Sequence, residues 1–124
     1  MSEELNIDEQ IAQIDADIVV QEKKVARAEA LERMKKTDDY KLVFEEGYIG
    51  EESKRVFGIL TDPRVTKPDD KATYMNQLES IRGFGTYVGT DLYKGTVAIT
   101  GSNAKNDIDK LVQNKEKLLS VKGA

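Results

Sequence analysis

The sequence predicts an all-α protein, with a long N-terminal, coiled-coil-like helix followed by a small helical bundle. Apolar residues in the first third recur at alternating steps of four and three, which is the spacing of a helix seam. Charged residues make up 34% of the 124 residues and aromatic residues only 6%, so the core must be small and aliphatic. We expect one domain at most, with an extended helical arm over residues 1–36 and a compact helical body over residues 37–124.

The first helix is sorted by charge. Residues 1–22 hold seven acids and no base, whereas residues 23–36 hold six bases and two acids. Asn6 is the expected cap, and the helix should run to about Lys36. Beneath the charges lies a seam that is interrupted at Gln21 and consists of Ile7, Ile11, Ile14, Ile18, Val25 and Ala28.

Such a helix can pair antiparallel with a copy of itself. The alternative is that the charges only complement the helix dipole and solvate one face. Dipole effects fade within the terminal turns, whereas the acidic run covers about six turns at 3.6 residues per turn. Pairing is therefore preferred, and the predicted interface comprises Ile7, Ile11, Ile14, Ile18, Val25, Lys23, Lys24 and Arg27.

Two short helices should follow. The first starts at Thr37 or Asp38 and ends near Gly47, and its buried side should consist of Leu42, Val43 and Phe44. The second spans Glu51 to Leu60, with Val56, Phe57, Ile59 and Leu60 facing inward, before Thr61-Asp62-Pro63 stops it. Tyr48 and Ile49 should lie in the turn between them, where they are hard to bury and become interface candidates.

A fourth helix should begin at Pro68 and run to about Tyr93, since apolar residues recur at helical steps from Met75 to Leu92. Three glycines between residues 83 and 89 weaken it, so they mark close packing or a kink. Residues 96–100 are β-branched and flanked by glycines, which leaves a β-hairpin across residues 86–100 as an alternative. The last helix should span about Ser102 to Ser120.

Reaction chemistry is not indicated by the residue types present. Cysteine, histidine and tryptophan are absent, so thiolate nucleophiles and histidine bases are excluded. Acidic residues come in pairs one or two positions apart, such as Asp69 and Asp70, and such neighbours point away from each other on a helix. The glycines of residues 83–89 do not have the spacing of a phosphate-binding loop. We predict no catalytic residue, no metal site, no cofactor and no enzyme.

The net charge of −4 disfavours nucleic-acid binding. No stretch approaches the ~18 apolar residues of a membrane span, and the acidic N-terminus is unlike a signal peptide. The basic half of the first helix fits an acidic protein surface better than phosphates, because no aromatic residues are interleaved to stack on bases. We therefore expect a protein partner, a homo-oligomer and synthesis in the cytoplasm.

Three segments resemble a family of short, mostly uncharacterised proteins of tailed bacteriophages: residues 39–48 (DYKLVFEEGY), 51–63 (EESKRV and LTDP at its two ends) and 78–87 (LESIRGFGTY). The shared features are packing patterns over about residues 35–90, and the glycine-rich residues 83–101 depart from them. The resemblance implies a phage protein made in the host cytoplasm, with a place in the virion or its assembly. It implies no catalytic residue.

The sequence therefore predicts a non-enzymatic phage structural or assembly protein that self-associates through its helices or docks on phage structural proteins. The competing hypothesis is a phage-encoded inhibitor that binds a host protein, with its acidic front half mimicking nucleic acid or engaging a basic surface.

Overall fold

The computed structural model describes residues 3–123, and their side chains from Asn6 onward. Its helices are α1 (Glu3–Lys35), α2 (Asp38–Tyr40), a π-helical segment (Lys41–Glu52), α3 (Ser53–Leu60), α4 (Pro68–Val88) and α5 (Thr96–Gly123). This confirms the all-α prediction. The alternative prediction of a β-hairpin over residues 86–100 is wrong, since the described residues there form no strand and only one isolated bridge, between Thr90 and Tyr93. None of the described helices is both long and apolar enough to cross a membrane.

The chain forms two compact units. The first joins α1 up to Glu29 with the chain from Val97 onward, and the second spans Ala30–Thr96. These units differ from the predicted division at residue 36, because α5 belongs with the first helix and not with the middle of the chain. We call the first unit the hairpin and the second the middle unit.

Within the hairpin, α1 and α5 run antiparallel. Three contacts along their length fix the register: Asp8 with Lys122, Asp15 with Lys115, and Ala28 with Gly101. The less exposed residues of α5 follow the same four-three spacing as those of α1, as expected for two helices that share a coiled-coil seam. Apart from Thr100, which is also half-buried, they are Val97, Gly101, Ala104, Ile108, Leu111, Lys115 and Leu118.

The seam contains small residues at one end and large ones at the other. Ala28 and Gly101 meet so closely that a Cβ atom at Gly101 would overlap the Cβ of Ala28 and lie 3.5 Å from the Lys24 carbonyl oxygen. Toward the other end the same register places isoleucines of α1 opposite Leu111 and Leu118. The close approach therefore depends on the absence of a side chain at Gly101.

In the middle unit, residues 38–60 form one uninterrupted helical run in which twelve residues have π geometry. Thr37 caps it, its hydroxyl oxygen accepting a hydrogen bond from the Tyr40 amide at 3.1 Å. The predicted turn at Tyr48-Ile49-Gly50 is wrong, because the helix continues through Gly47 and Gly50. π-Helical stretches are rare and are usually a single turn within an α-helix.

An aromatic cluster packs this run onto α4. Tyr40, Phe44 and Tyr48 follow one another at four-residue steps, and the rings of Phe44 and Tyr48 lie 5.3 and 5.4 Å from that of Phe84. The Tyr40 and Phe44 rings are 5.2 Å apart. Such distances are typical of favourable aromatic pairs.

Few side chains are fully covered. Among the described residues the buried apolar ones are Tyr40, Val56, Ile81 and Val88 in the middle unit, and Val97 and Ala104 in the hairpin. The predicted inward orientation is correct for Val56 but wrong for Phe57, which is 60% exposed, and for Leu42 and Val43. The middle unit therefore covers only part of its apolar surface.

Three helix boundaries also differ from the prediction. The fourth helix ends at Val88 and not near Tyr93, because Gly89 adopts a left-handed φ of 86° after it. The last helix begins at Thr96, so the β-branched residues 96–100 are helical. At the N-terminus α1 begins at Glu3, so Asn6 lies inside the helix and does not cap it.

Candidate interaction surfaces

The predicted apolar interface residues of α1 lie along the hairpin seam. Ile7, Ile11, Ile14, Ile18 and Val25 are all half-buried, and they share the helix face of Ala28, which meets Gly101 of α5. The seam therefore has a companion helix within the same chain.

The charge sorting of α1 is also matched within the hairpin. Asp15 and Lys115 form an ion pair at 2.7 Å, and Asp8 pairs with Lys122. Antiparallel packing places the basic end of α5 beside the acidic end of α1, so charge and orientation agree. These pairs are partly exposed, and each contributes only a few tenths of a kcal/mol to about 1 kcal/mol.

The predicted basic interface residues have no such match. Lys23 and Arg27 are exposed on α1, and Lys24 is half-buried where its backbone carbonyl approaches Gly101. None of the three forms an ion pair with a described side chain. They form a solvated basic surface beside the seam.

Tyr48 and Ile49, the remaining predicted interface residues, are half-buried in the π-helical segment. The Tyr48 ring packs edge-on against Phe84 at 5.4 Å, so its role is to hold the helical run against α4. Ile49 instead lines a surface groove of about 360 Å³.

This groove lies between the π-helical segment and α4. Its apolar wall consists of Ile49, Met75, Leu78 and Ile81, and two charged residues of α4, Glu79 and Arg82, also line it. One end is formed by Thr90 and Tyr93, which belong to the connection between α4 and α5. An apolar hollow with a few charged groups is the usual form of a binding site for an apolar side chain.

The connection itself, residues 89–95, is a tight loop that we call the anchor loop. Its ends touch, since a Cβ atom at Gly89 would lie 2.7 Å from the Gly95 amide nitrogen. The Thr90 amide donates to the Tyr93 carbonyl oxygen at 3.1 Å, and the Leu92 amide donates to the Thr90 hydroxyl at 3.2 Å. These bonds fix the backbone on both sides of Leu92.

A lysine secures the base of the anchor loop. Lys35 donates from Nζ to the Val88 carbonyl oxygen at 2.9 Å, which provides a partner for a carbonyl at the end of α4. The side chain of Leu92 projects from this rigid base and is 91% exposed, more than any other large apolar side chain of the described residues.

Leu92 was predicted to lie in the fourth helix, and this is wrong. The spacing from Val88 to Leu92 is helical, but Gly89 ends the helix before Leu92 is reached. The flanking glycines at 89 and 95 are the signal that identifies a loop. No sequence pattern distinguishes an exposed leucine at its tip from a buried one.

In the described part of the chain, no group of three or more acidic side chains converges in a way that could hold a metal ion. Hydrogen bonds from Arg55 and Arg64 lower the pKa values of Glu52 and Asp62, and all four side chains lie on the surface. Burial, with a smaller contribution from Glu45, raises the pKa of Tyr40.

Comparisons with known proteins give no further assignment. No protein-family model, curated protein or solved structure shows significant similarity to this chain.

Proposed function

We propose that this chain is a non-enzymatic association protein, which self-associates or docks in a larger protein assembly through the apolar surface of its middle unit. The observation that supports this most strongly is the exposure of large apolar side chains on a unit with a small core. Leu92 is 91%, Leu42 62% and Phe57 60% exposed. Single exposed apolar residues are common, but a rigid one beside an apolar groove indicates a contact with another protein.

The charge sorting of α1 was predicted to orient pairing with a second copy, and we now assign it to the packing of α1 on α5. Asp8, Asp15 and Ala28 of the seam meet α5, so α1 stabilises the hairpin and leaves association to the middle unit. A role in a phage virion or its assembly, in the host cytoplasm, rests on the sequence resemblance of residues 35–90.

Static light scattering on the purified chain tests the proposal. We expect the mass to rise above the 13.9 kDa monomer as the concentration is raised from about 1 to 100 μM, since Kd values in the micromolar range suit small interfaces. Association through apolar contacts should persist in 1 M salt, where exposed ion pairs are screened. A monomer at every concentration and salt would refute self-association.

A second candidate, the host-directed inhibitor, draws on the acids of α1 that the hairpin leaves exposed, among them Glu9 and Glu22. Affinity capture from a bacterial host lysate at low and high salt separates it from an assembly role. One stoichiometric basic partner, lost at high salt, supports inhibition. Recovery of the chain in purified particles supports assembly.

A further inference from the structure

We propose that the groove of the middle unit receives Leu92 from a second copy of this chain, in a twofold-symmetric dimer in which each anchor loop enters the other's groove. This inference rests on the proposed association function and specifies its interface.

The anchor loop has the properties of an inserting element. Leu92 is almost wholly exposed, while its backbone is held by the Thr90–Tyr93 hydrogen bond and by the contact between Gly89 and Gly95. A side chain on a fixed loop loses little conformational freedom when it binds, so more of its burial appears as affinity. An exposed leucine on a flexible loop would lack this advantage.

The groove has the properties of the receiving site. Its apolar wall of Ile49, Met75, Leu78 and Ile81 matches a leucine in chemistry, and its volume of about 360 Å³ accommodates one. Met75 is 49% exposed on the chain alone, so a side chain seated there would cover surface that the chain leaves in water.

Charge complementarity indicates a second copy as the occupant. Leu92 stands between an acid and a base, Asp91 and Lys94, and the groove also carries one base and one acid, Arg82 and Glu79. All four side chains are exposed, and none forms an ion pair with another side chain in the described part of the chain. Across a dimer, Asp91 would face Arg82 of the second copy, and Lys94 would face its Glu79.

Because the anchor loop lies next to the groove of its own chain, two copies can insert their loops into each other's grooves. Thr90 and Tyr93 of the anchor loop form one end of the groove in the same chain. A twofold axis beside that end would carry each Leu92 over the other copy's groove. Such a self-complementary patch closes as a dimer and does not propagate into a filament.

Two single charge reversals provide the decisive test, because the two variants should dimerise only when they are mixed with each other. With Arg82→Glu alone, each dimer contact would bring the introduced carboxylate against Asp91. With Asp91→Arg alone, each contact would bring the introduced guanidinium against Arg82. Both variants should therefore remain monomeric, because like charges would meet at both contacts.

Mixed in equal amounts, the two variants should form a heterodimer. One of its contacts would join the two introduced side chains and the other would join the native Arg82 and Asp91, so both would pair opposite charges. Native mass spectrometry distinguishes the heterodimer when one variant is labelled with ¹⁵N.

Leu92→Ala should weaken the dimer by about 100-fold or more, because two leucine side chains are lost per interface. Leu119→Ala is the matched control, since Leu119 is 47% exposed on α5 of the hairpin and does not line the groove; it should leave the Kd unchanged. Circular dichroism should show unchanged helicity in all four variants, as each replaced side chain is exposed.

The outcomes separate the two proposals. If the wild-type chain self-associates and Leu92→Ala, Arg82→Glu and Asp91→Arg each self-associate as the wild type does, this interface is wrong and the association function stands. If the wild-type chain is monomeric at 100 μM, the dimer and self-association are both wrong.

Discussion

The hairpin and the middle unit bury apolar residues in different ways. In the hairpin the half-buried apolar series of α1 faces a series of α5 that has the same heptad spacing, and Asp8 and Asp15 of α1 pair with lysines of α5. In the middle unit an aromatic cluster and a few aliphatic residues form the core, while Leu92, Leu42 and Phe57 stay exposed. The hairpin also exposes apolar side chains, such as Val121 at 63%, but only the middle unit combines them with an apolar groove formed by its own residues.

The largest predicted effect concerns the hairpin seam. Ile11→Asp combined with Ile18→Asp places two carboxylates on the face that packs on α5, which should destabilise the hairpin by about 4 kcal/mol or more. Hydrogen exchange read by mass spectrometry should show lost protection over residues 97–123, with residues 40–90 still protected.

Val19→Asp with Val20→Asp is the control, because both valines are about half-exposed on the same helix. It should leave protection of α5 intact. Equal loss in both double variants would contradict the assignment of the seam, and loss in the middle unit as well would contradict its independence.

The next effect compares two glycines under the same substitution. Gly101→Ala should destabilise the hairpin by about 1–3 kcal/mol, because the added methyl group overlaps Ala28. Gly83→Ala in α4 meets no atom within 4 Å and should stabilise the chain by up to about 1 kcal/mol through helix propensity. Urea denaturation measures both. Stabilisation by both would show that the helices are not in close contact at Gly101.

The smallest effect tests the core of the middle unit. Tyr40 is 5% exposed, and its hydroxyl has no hydrogen-bond partner among the described residues. Removing an unpaired buried hydroxyl relieves a desolvation cost, so Tyr40→Phe should stabilise the chain by about 1 kcal/mol. Tyr87→Phe, at a residue that is 49% exposed, should change stability by less than about 0.5 kcal/mol.

The same residue predicts a pH dependence. Burial raises the pKa of Tyr40 above its ordinary 10.0, so the unfolded chain ionises first as the pH rises. The stability that this difference contributes is present below pH 10 and is lost as the pH rises from there through the folded pKa. Thermal denaturation between pH 8 and pH 11 should show a steeper decline for the wild type than for Tyr40→Phe. Parallel declines would refute the role of burial.

The seam of α1 could be predicted from the sequence because isoleucine at heptad spacing is a strong pattern. Its companion could not, because the matching positions of α5 include Gly101, Ala104 and Lys115, which are not typical seam residues. Residues 96–100 have strand-like side chains, but packing on α1 overrides that local preference. Sequence patterns therefore fail to predict the structure where tertiary contacts outweigh local propensity.

The candidate site in the middle unit was predicted only in part. Ile49 was identified as an interface residue, although for a turn that the structure replaces with helix. Leu92 and the groove were missed, because the shape of the groove depends on residues far apart in the sequence, such as Ile49 and Met75. Glycines at 47 and 50 suggested a turn between two helices, but the helical run continues through both glycines.

The groove depends on the backbone hydrogen-bonding pattern of the π-helical segment. If each amide between Lys41 and Glu52 bonded one carbonyl nearer, the run would tighten to an α-helix, and every side chain after Lys41 would rotate about the axis. Tyr48 would then leave Phe84, and Ile49 would leave the groove. The binding surface therefore exists in only one of two helical pitches, and a single inserted or deleted residue in this run would abolish it.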